Sequence, residues 1–258
     1  MKPLVLTPLL GLPLVQPGDD LAALLLAAIL RQGLTLQDGD IVVLAQKIVS
    51  KAEGRYRALS EVTPSERALE LATLTEKDPR LVQLILDESN EVLRARPGLL
   101  IVEHRLGFVS ANAGIDHSNL PGSDEDAHLL LPEDPDASAG RLRATLQTAS
   151  AAQLGDASIG VLIIDSHGRA WREGTLGATI GLSGLPGLVD LRGTPDLAGR
   201  PLRVTQLAAA DELAAAASLA MGQAAEGCPA VHVRGFPYAL REASLGELLR
   251  PRERDEFR

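Results

Sequence analysis

Three clusters of polar residues hold the side chains in this sequence that could do chemistry, and each stands at the end of a predicted strand. The first cluster, residues 46–55, supplies Lys47, Lys51 and Arg55 around a glycine turn. Because lysine and arginine bind phosphate groups as cations, one interpretation is a phosphate site with Lys51 as a point charge. The alternative, which the local sequence alone favours, is a basic edge exposed to solvent.

The second cluster, residues 112–119, combines small residues with side-chain oxygens. Asp116 and Asn119 lie on a glycine-containing loop and offer the oxygen ligands that a hard divalent cation such as Mg²⁺ prefers. Any tight turn favours the same residue types, and this plainer interpretation is the stronger one for the segment alone. His117 has the chemistry of a catalytic base, but beside a turn a histidine is more often a surface residue.

The third cluster, residues 165–172, follows a predicted strand that ends at residue 164. Asp165 at the end of a buried strand is suited to bind a metal, and Arg169 and Arg172 are candidates to hold anionic substrate groups. A Ser-His-Asp hydrolase triad is a poor alternative. Adjacent residues rarely converge in triad geometry, and the sequence lacks the G-x-S-x-G nucleophile elbow.

Taken together, the clusters indicate metal-assisted chemistry on a phosphate ester or a nucleotide. They combine two carboxylates at strand ends, a set of basic side chains and glycine turns. Neither a Walker A pattern nor a G-x-G-x-x-G pattern occurs in the chain. Any nucleotide site must therefore be assembled from other elements.

A mixture of strands and helices must position these clusters. Apolar runs predict strands at residues 4–6, 41–45, 99–103, 108–111, 159–164, 202–205 and 229–234. Capping residues predict five helices. The first three run from Asp19-Asp20 to Arg31, from Thr63-Pro64-Ser65-Glu66 onward, and from Asp78-Pro79 to about Asn90. The last two run from Asp136 or Ser138 to Leu154, and over residues 208–221 up to Gly222. The glycine-rich residues 168–193 are predicted to be a connection, and residues 114–135 a long polar loop and a candidate site.

Composition narrows the classes of function. The 25 basic and 34 acidic residues give a formal net charge of −9, which argues against a nucleic-acid-binding protein. One Trp, two Tyr and three Phe leave little material for base stacking. The single cysteine, Cys228, cannot form an internal disulfide and suits a reducing cytoplasm. The longest apolar stretch, residues 21–30, is too short to span a bilayer, so we expect no membrane association.

The order of five motifs resembles the coenzyme F420-0:L-glutamate ligase family. The motifs are GDIVVLAQKIVSKAEGR at residues 39–55, NAGID at 112–116 with Ser118-Asn119, LLPEDPD at 130–136, DSHGRAWR at 165–172 and VRG at 233–235. The resemblance runs from about Leu10 to Gly235. It implies an α+β fold, with a two-lobed subunit of mainly antiparallel sheets in an intertwined homodimer. The irregular order of strands and helices also favours α+β. Residues 1–240 would form the ligase unit, and residues 241–258 a charged tail that is a solvated helix or a frayed end.

The resemblance also implies an activity and its cofactors. The family is expected to be a GTP-dependent amide ligase that adds L-glutamate to the lactyl carboxylate of F420-0 and then adds further γ-linked glutamates. Two divalent cations per site, Mg²⁺ or Mn²⁺, and a potassium ion are implied. The γ-phosphoryl group of GTP would convert the carboxylate to an acyl phosphate, because a carboxylate does not react with an amine until its oxygen becomes a leaving group.

Site residues follow from the resemblance by motif position. Asp116 and Asp165 are similar to the ligands of one divalent metal, and Ser166 and Gln223 to those of a second. Ser166 replaces a common threonine and Gln223 is a weaker ligand than a carboxylate, but both offer an oxygen. Asp116, Asp165 and Lys51 are the expected catalytic residues, and Arg169 and Arg172 are candidates to anchor the acceptor or the glutamate. GTP contacts are implied for Leu10, Gly11, Leu12, Pro13, Ala45, Gln46, Lys51, Asn119, Met221, Gly222, Gln223, Ala224, Ala225, Glu226, Gly227 and Cys228.

Two alternative functions remain at this point. One is a ligase of the same scaffold that uses a different acceptor. The other is a nucleotide-binding module without turnover, although the presence of Asp116, Asp165 and Lys51 argues against it. The sequence names no convincing base to take a proton from the attacking amine.

Overall fold

The computed structural model describes residues 3–117, 126–155 and 157–255. Within these residues the strands are β1 (Val5–Pro8), β2 (Ile41–Ala45), β3 (Tyr56–Ala58), β4 (Ser89–Arg96), β5 (Leu99–His104), β6 (Val109–Ala111), β7 (Ala127–Leu129), β8 (Gly160–Arg169), β9 (Arg172–Ser183), β10 (Val189–Asp190), β11 (Gln206–Leu207) and β12 (Ala230–Arg234). The helices are α1 (Leu21–Arg31), α2 (Gln46–Ala52), α3 (Glu66–Thr75), α4 (Pro79–Asp87), α5 (Pro135–Ala149), α6 (Ala151–Leu154) and α7 (Ala209–Met221). The mixture of helices with mainly antiparallel sheets confirms the predicted α+β class.

A five-stranded sheet in the order β1-β12-β2-β8-β9 forms the centre of the fold. Its neighbouring strands are antiparallel except for β2 and β8, which run parallel. Residues 41–44 and 160–164 are all buried, and since successive side chains point to opposite faces, both strands are covered on both faces. The parallel pairing sets Ala45, the last residue of β2, opposite Ile164. The predicted end of the strand at residue 164 is wrong, because β8 continues to Arg169 in pairing with β9.

Four helices, α1, α3, α4 and α5, begin where a short polar side chain accepts a hydrogen bond from the first turn. Asp20 caps α1 and Asp78 caps α4, as predicted. Two caps differ from the prediction. Ser65, not Thr63, caps α3, and Asp134, not Asp136 or Ser138, caps α5. Thr63 and Asp136 each lie two residues from the polar residue that is the actual cap. In both helices the side chain that accepts from the third residue on is the actual cap.

The predicted connection over residues 168–193 is wrong for its first half, because β9 occupies residues 172–183 and pairs with β8. Glycine is common there because helices pack closely on the strand. A Cβ atom at Gly177 would lie 2.5 Å from the carbonyl oxygen of Ala214 in α7, and one at Gly181 would lie 2.4 Å from Cβ of Pro135 in α5. The predicted strand at residues 202–205 is likewise wrong, and the short β11 follows it instead.

A second hydrophobic cluster joins α3 and α4 to the β4-β5-β6 sheet. A buried ion-pair group attaches it to the remainder of the protein. Glu88, at the end of α4, accepts hydrogen bonds from Arg55, which precedes β3, and from Arg105 in the β5–β6 turn. Arg55 also donates to the carbonyl oxygen of Leu131. Arg55 therefore links Glu88, at the end of α4, to the chain that follows β7.

The segment after β12 packs against the central core. A short 3₁₀ helix at Leu245–Glu247 buries Leu245, whose backbone N–H donates to the carboxylate of Asp136 in α5. Arg241 forms an ion pair with Glu247. A second 3₁₀ turn covers Arg252–Arg254. Through residue 255, two 3₁₀ turns therefore stand where the sequence predicted a solvated helix or a frayed end. Among the described residues, the helices are too short or too polar to cross a membrane.

Candidate functional site

A cavity of about 510 Å³ opens where β2 ends beside Ile164 of β8. Ligand sites commonly form outside the carboxyl end of a parallel strand, because the chain leaves the sheet there. Residues from four regions line it: the chain before α1, helix α2 with the preceding Ala45, residues 164–166 of β8, and the last turn of α7 with the segment after it. They are Leu12, Pro13, Leu14, Val15, Ala45, Gln46, Lys47, Ile48, Lys51, Ile164, Asp165, Ser166, Ser218, residues 221–228 and Pro229.

Two lysines of α2 form the basic wall of the cavity. Lys47 and Lys51 are four residues apart, which places both on one face of the helix. Burial lowers the pKa of Lys51, the charge of Lys47 lowers it further, and Asp116 acts in the opposite direction. Lys47 Nζ lies 2.6 Å from Oδ2 of Asp116, which is paired to β7 by hydrogen bonds with Leu129. Asp116 is not among the cavity-lining residues, but this ion pair attaches it to the wall.

Side-chain oxygens from β8 and from the segment after α7 meet on another part of the cavity wall. Ser166 Oγ donates to Oε1 of Gln223 at 2.7 Å, and Nε2 of Gln223 donates to Oγ of Ser218 at 2.7 Å. Ser166 and Gln223, which the resemblance assigns to one metal, are thus in contact. Asp165 lines the same cavity, whereas Asp116, which the resemblance assigns with Asp165 to the other metal, does not.

This donor set fits a hard divalent cation. Asp165, Ser166 and Gln223 offer only oxygen, which Mg²⁺ and Mn²⁺ bind well. Asp116 adds a further carboxylate, which forms an ion pair with Lys47. No group of three or more His, Cys, Asp or Glu side chains converges on a metal position within the part of the chain that the structure describes. The predicted ligands, two aspartates, a serine and a glutamine, include only two residues of those four types, so they would not form such a group.

An aromatic stack supports Asp165 from behind. His167 Nε2 lies 3.1 Å from Oδ2 of Asp165, and its ring packs on Phe108 with 5.1 Å between ring centroids. Phe108 in turn stacks on His104 at 5.2 Å. The sequence placed His167 in the third cluster but gave it no role. Alternation along β8, which puts residues 165 and 167 on one face, is the feature that relates them.

The segment after α7 closes the cavity. Gly222 ends the helix, and the backbone N–H of Ala224 donates to Oε2 of Glu226 at 2.7 Å, which folds the segment back on itself. Cys228 is buried on the cavity wall, and burial raises the pKa of its thiol. The region implied by the resemblance, Met221 to Cys228, therefore lines the cavity along its whole length.

Other predicted site residues lie elsewhere. Leu10 is exposed and Gly11 accepts a hydrogen bond from Arg31, and neither lines the cavity. Arg169 and Arg172 lie at the exposed β8–β9 turn, outside the cavity wall. Asn119 lies outside the described residues. Lys47 and Ser218 line the cavity without having been predicted as site residues; the helical spacing of Lys47 to Lys51 is the pattern that could have indicated the former.

Comparison with known proteins relates this site to a family. The sequence profile described as F420-0:Gamma-glutamyl ligase matches residues 10–235. The chain belongs to the F420-0:gamma-glutamyl ligase family. Among its relatives in that family, the coenzyme F420:L-glutamate ligase of Methanothermobacter thermautotrophicus is 50% identical over 96% of both chains.

Two further members of the F420-0:gamma-glutamyl ligase family extend the similarity. The protein of the same name from Archaeoglobus fulgidus is 44% identical over 97% of this chain and 95% of its own. The one from Methanocaldococcus jannaschii is 39% identical over 96% of this chain and 95% of its own. The matched residues include all four regions that line the cavity, and the resemblance inferred from the motifs is confirmed.

Proposed function

We propose that this protein is a GTP-dependent amide ligase that joins L-glutamate to the lactyl carboxylate of F420-0, and then adds further γ-linked glutamates. The observation that carries the proposal is the similarity over almost the whole chain to relatives named coenzyme F420:L-glutamate ligase. The cavity supports it, because two lysines and several oxygen-bearing side chains line a volume of about 510 Å³.

The proposed reaction has two steps. The carboxylate oxygen of F420-0 attacks the γ-phosphorus of GTP, the bond to the bridging oxygen breaks, and GDP leaves. The amine of glutamate, after losing a proton, attacks the acyl carbon of the resulting acyl phosphate and inorganic phosphate leaves. Lys51, which is largely buried on the cavity wall, would balance phosphate charge.

Two divalent cations, Mg²⁺ or Mn²⁺, fit the proposal. Asp116 and Asp165 would hold one, and Ser166 and Gln223 the second. When bound, such cations neutralise charge on phosphate oxygens and so favour phosphoryl transfer. His167, whose Nε2 lies 3.1 Å from Oδ2 of Asp165, would help to fix the position of that carboxylate. We also propose a bound potassium ion and, as the active form, an intertwined homodimer of two-lobed subunits.

A mass measurement tests the proposal. We expect the protein, incubated with GTP, Mn²⁺, L-glutamate and F420-0, to raise the mass of F420-0 by one or more glutamyl residues. Asp116→Asn should lower the rate by more than the roughly 10–100-fold typical of an outer-shell partner of a metal. The matched control is Asp190→Asn, which removes the negative charge of an exposed aspartate in β10 that forms an ion pair with Arg192.

The outcomes separate the alternatives. No glutamyl product from wild-type protein would contradict the proposal. GDP release that requires some other carboxylic acid would instead indicate a ligase with a different acceptor. Nucleotide binding without GDP release under any condition would indicate a binding module.

A further inference from the structure

The ion pair between Lys47 and Asp116 joins a cavity wall to a proposed metal ligand. Lys47 Nζ lies 2.6 Å from Oδ2 of Asp116, and each side chain keeps about a quarter of its surface exposed (28% and 23%). Lys47 also lines the cavity itself. Its ammonium group is thus within reach of both the carboxylate and any ligand in the cavity, on a flexible four-carbon stem.

Charge around Asp116 opposes a divalent cation when the cavity holds no anion. One carboxylate faces the ammonium of Lys47 in contact and that of Lys51 nearby. A dication that approached Asp116 would have to displace Lys47 and would be repelled by both ammonium groups. With Asp165 and Glu226 of the cavity wall, Asp116 makes three carboxylates against two lysines. The opposition to a dication therefore comes from the direct contact of Lys47 with Asp116, and not from the net charge of the site.

A triphosphate reverses this balance. Its several negative charges would attract Lys47 towards the cavity and at the same time attract a dication towards Asp116. The ammonium group of Lys47 then loses little electrostatic stabilisation by leaving Asp116, because it exchanges one anionic partner for another.

We propose that Lys47 serves as an exchangeable counter-ion: it occupies Asp116 in the nucleotide-free protein and moves to the phosphates when nucleotide and divalent cation bind. Cation and nucleotide therefore bind cooperatively, and Lys47 is the residue that couples them. By thermodynamic linkage, bound nucleotide raises the affinity for the cation by the same factor as bound cation raises the affinity for the nucleotide. This inference rests on the proposed nucleotide and metal sites but does not depend on F420-0 as acceptor.

Mn²⁺ binding measured by electron paramagnetic resonance tests the proposal, with and without a non-hydrolysable guanosine triphosphate analogue. For wild type we expect weak binding of Mn²⁺ alone and binding about tenfold tighter with the analogue. For Lys47→Met, Mn²⁺ alone should bind about tenfold tighter than to wild type, because the competing charge is gone. The analogue should then tighten Mn²⁺ binding less than it does in wild type, because only direct coordination of the cation by its phosphate oxygens remains. The matched control Lys77→Met, at the C-terminal end of α3, removes the same charge away from the cavity and should behave as wild type.

The conservative variant Lys47→Arg keeps a cation and should keep the wild-type pattern, which separates charge from packing. Either of two results would overturn the proposal: Lys47→Met binds Mn²⁺ alone no tighter than wild type, or Lys47→Arg behaves like Lys47→Met. If wild type still glutamylates F420-0 in that case, the proposed function stands and only the role of Lys47 is refuted.

Discussion

The contact of β9 with α7 at Gly177 sets the position of one cavity wall. Gly177 packs against Ala214 and Ser218, and Ser218 accepts the hydrogen bond from Gln223 that places Gln223 beside Ser166. A methyl group at position 177 would therefore act on the site through α7. We expect Gly177→Ala to weaken both the stability of the fold and the binding of Mn²⁺.

The magnitude follows from the space available. The added Cβ would lie 2.5 Å from the carbonyl oxygen of Ala214 and 2.5 Å from Cβ of Ser218. Ordinary contacts begin near 3.4 Å, so strand and helix must separate locally by about 0.9 Å. Overpacking of this kind costs about 1–3 kcal/mol. For a chain of this size each kcal/mol lowers Tm by about 2–4 °C.

Thermal unfolding and Mn²⁺ titration of three glycine variants check this reasoning. Gly181→Ala brings a comparable clash, 2.4 Å from Cβ of Pro135, but Pro135 does not line the cavity. It should lower Tm and leave Mn²⁺ affinity near that of wild type. Gly168→Ala meets no atom within 4 Å and should change neither quantity. A Gly177→Ala protein with the Tm of wild type would refute the packing argument. A lowered Tm with unchanged Mn²⁺ affinity would refute the link from Ser218 to the site.

Three further predictions concern stability and reactivity. Burial alone would raise the pKa of Asp40, but hydrogen bonds from Arg234 and His232 lower it from 3.8 to about 2. The ionised carboxylate therefore contributes about 2 kcal/mol to the free energy of unfolding above pH 3.8, and this contribution is lost as the pH falls through about 2. The free energies of unfolding of wild type and Asp40→Asn, measured in urea, should accordingly differ less as the pH falls over that range. Phe108→Leu keeps an apolar side chain but loses the stack on His167, and should lower the free energy of unfolding by about 0.5–1.5 kcal/mol, measured in urea. Burial raises the pKa of the Cys228 thiol, so iodoacetamide should modify the native protein far more slowly than the urea-unfolded chain at the same pH; equal rates would contradict the burial.

Local patterns in the sequence predicted much of the fold correctly. The apolar run at residues 41–45 forms β2 as expected, and Asp20 and Asp78 cap their helices. These features depend on neighbours within one turn or one strand, so short windows of sequence contain the relevant interactions. The failure at β9 has the opposite origin. Glycine is required at residues 177 and 181 because helices distant in the chain pack closely on the strand there. A local sequence pattern cannot distinguish glycines that allow close packing from glycines of a flexible connection.

The sequence by itself determined the family and part of the cavity wall, including Gln46, Lys51 and residues 221–228, because these depend on motifs that are contiguous in the chain. Only the tertiary structure decided which of these residues meet. The parallel pairing of β2 with β8 sets the lysines of α2 and the oxygens of Asp165 and Ser166 around one cavity. The pairing of Lys47 with Asp116 and of Ser166 with Gln223 joins elements far apart in sequence. Those contacts depend on strand order and on helix packing, which involve the whole chain at once.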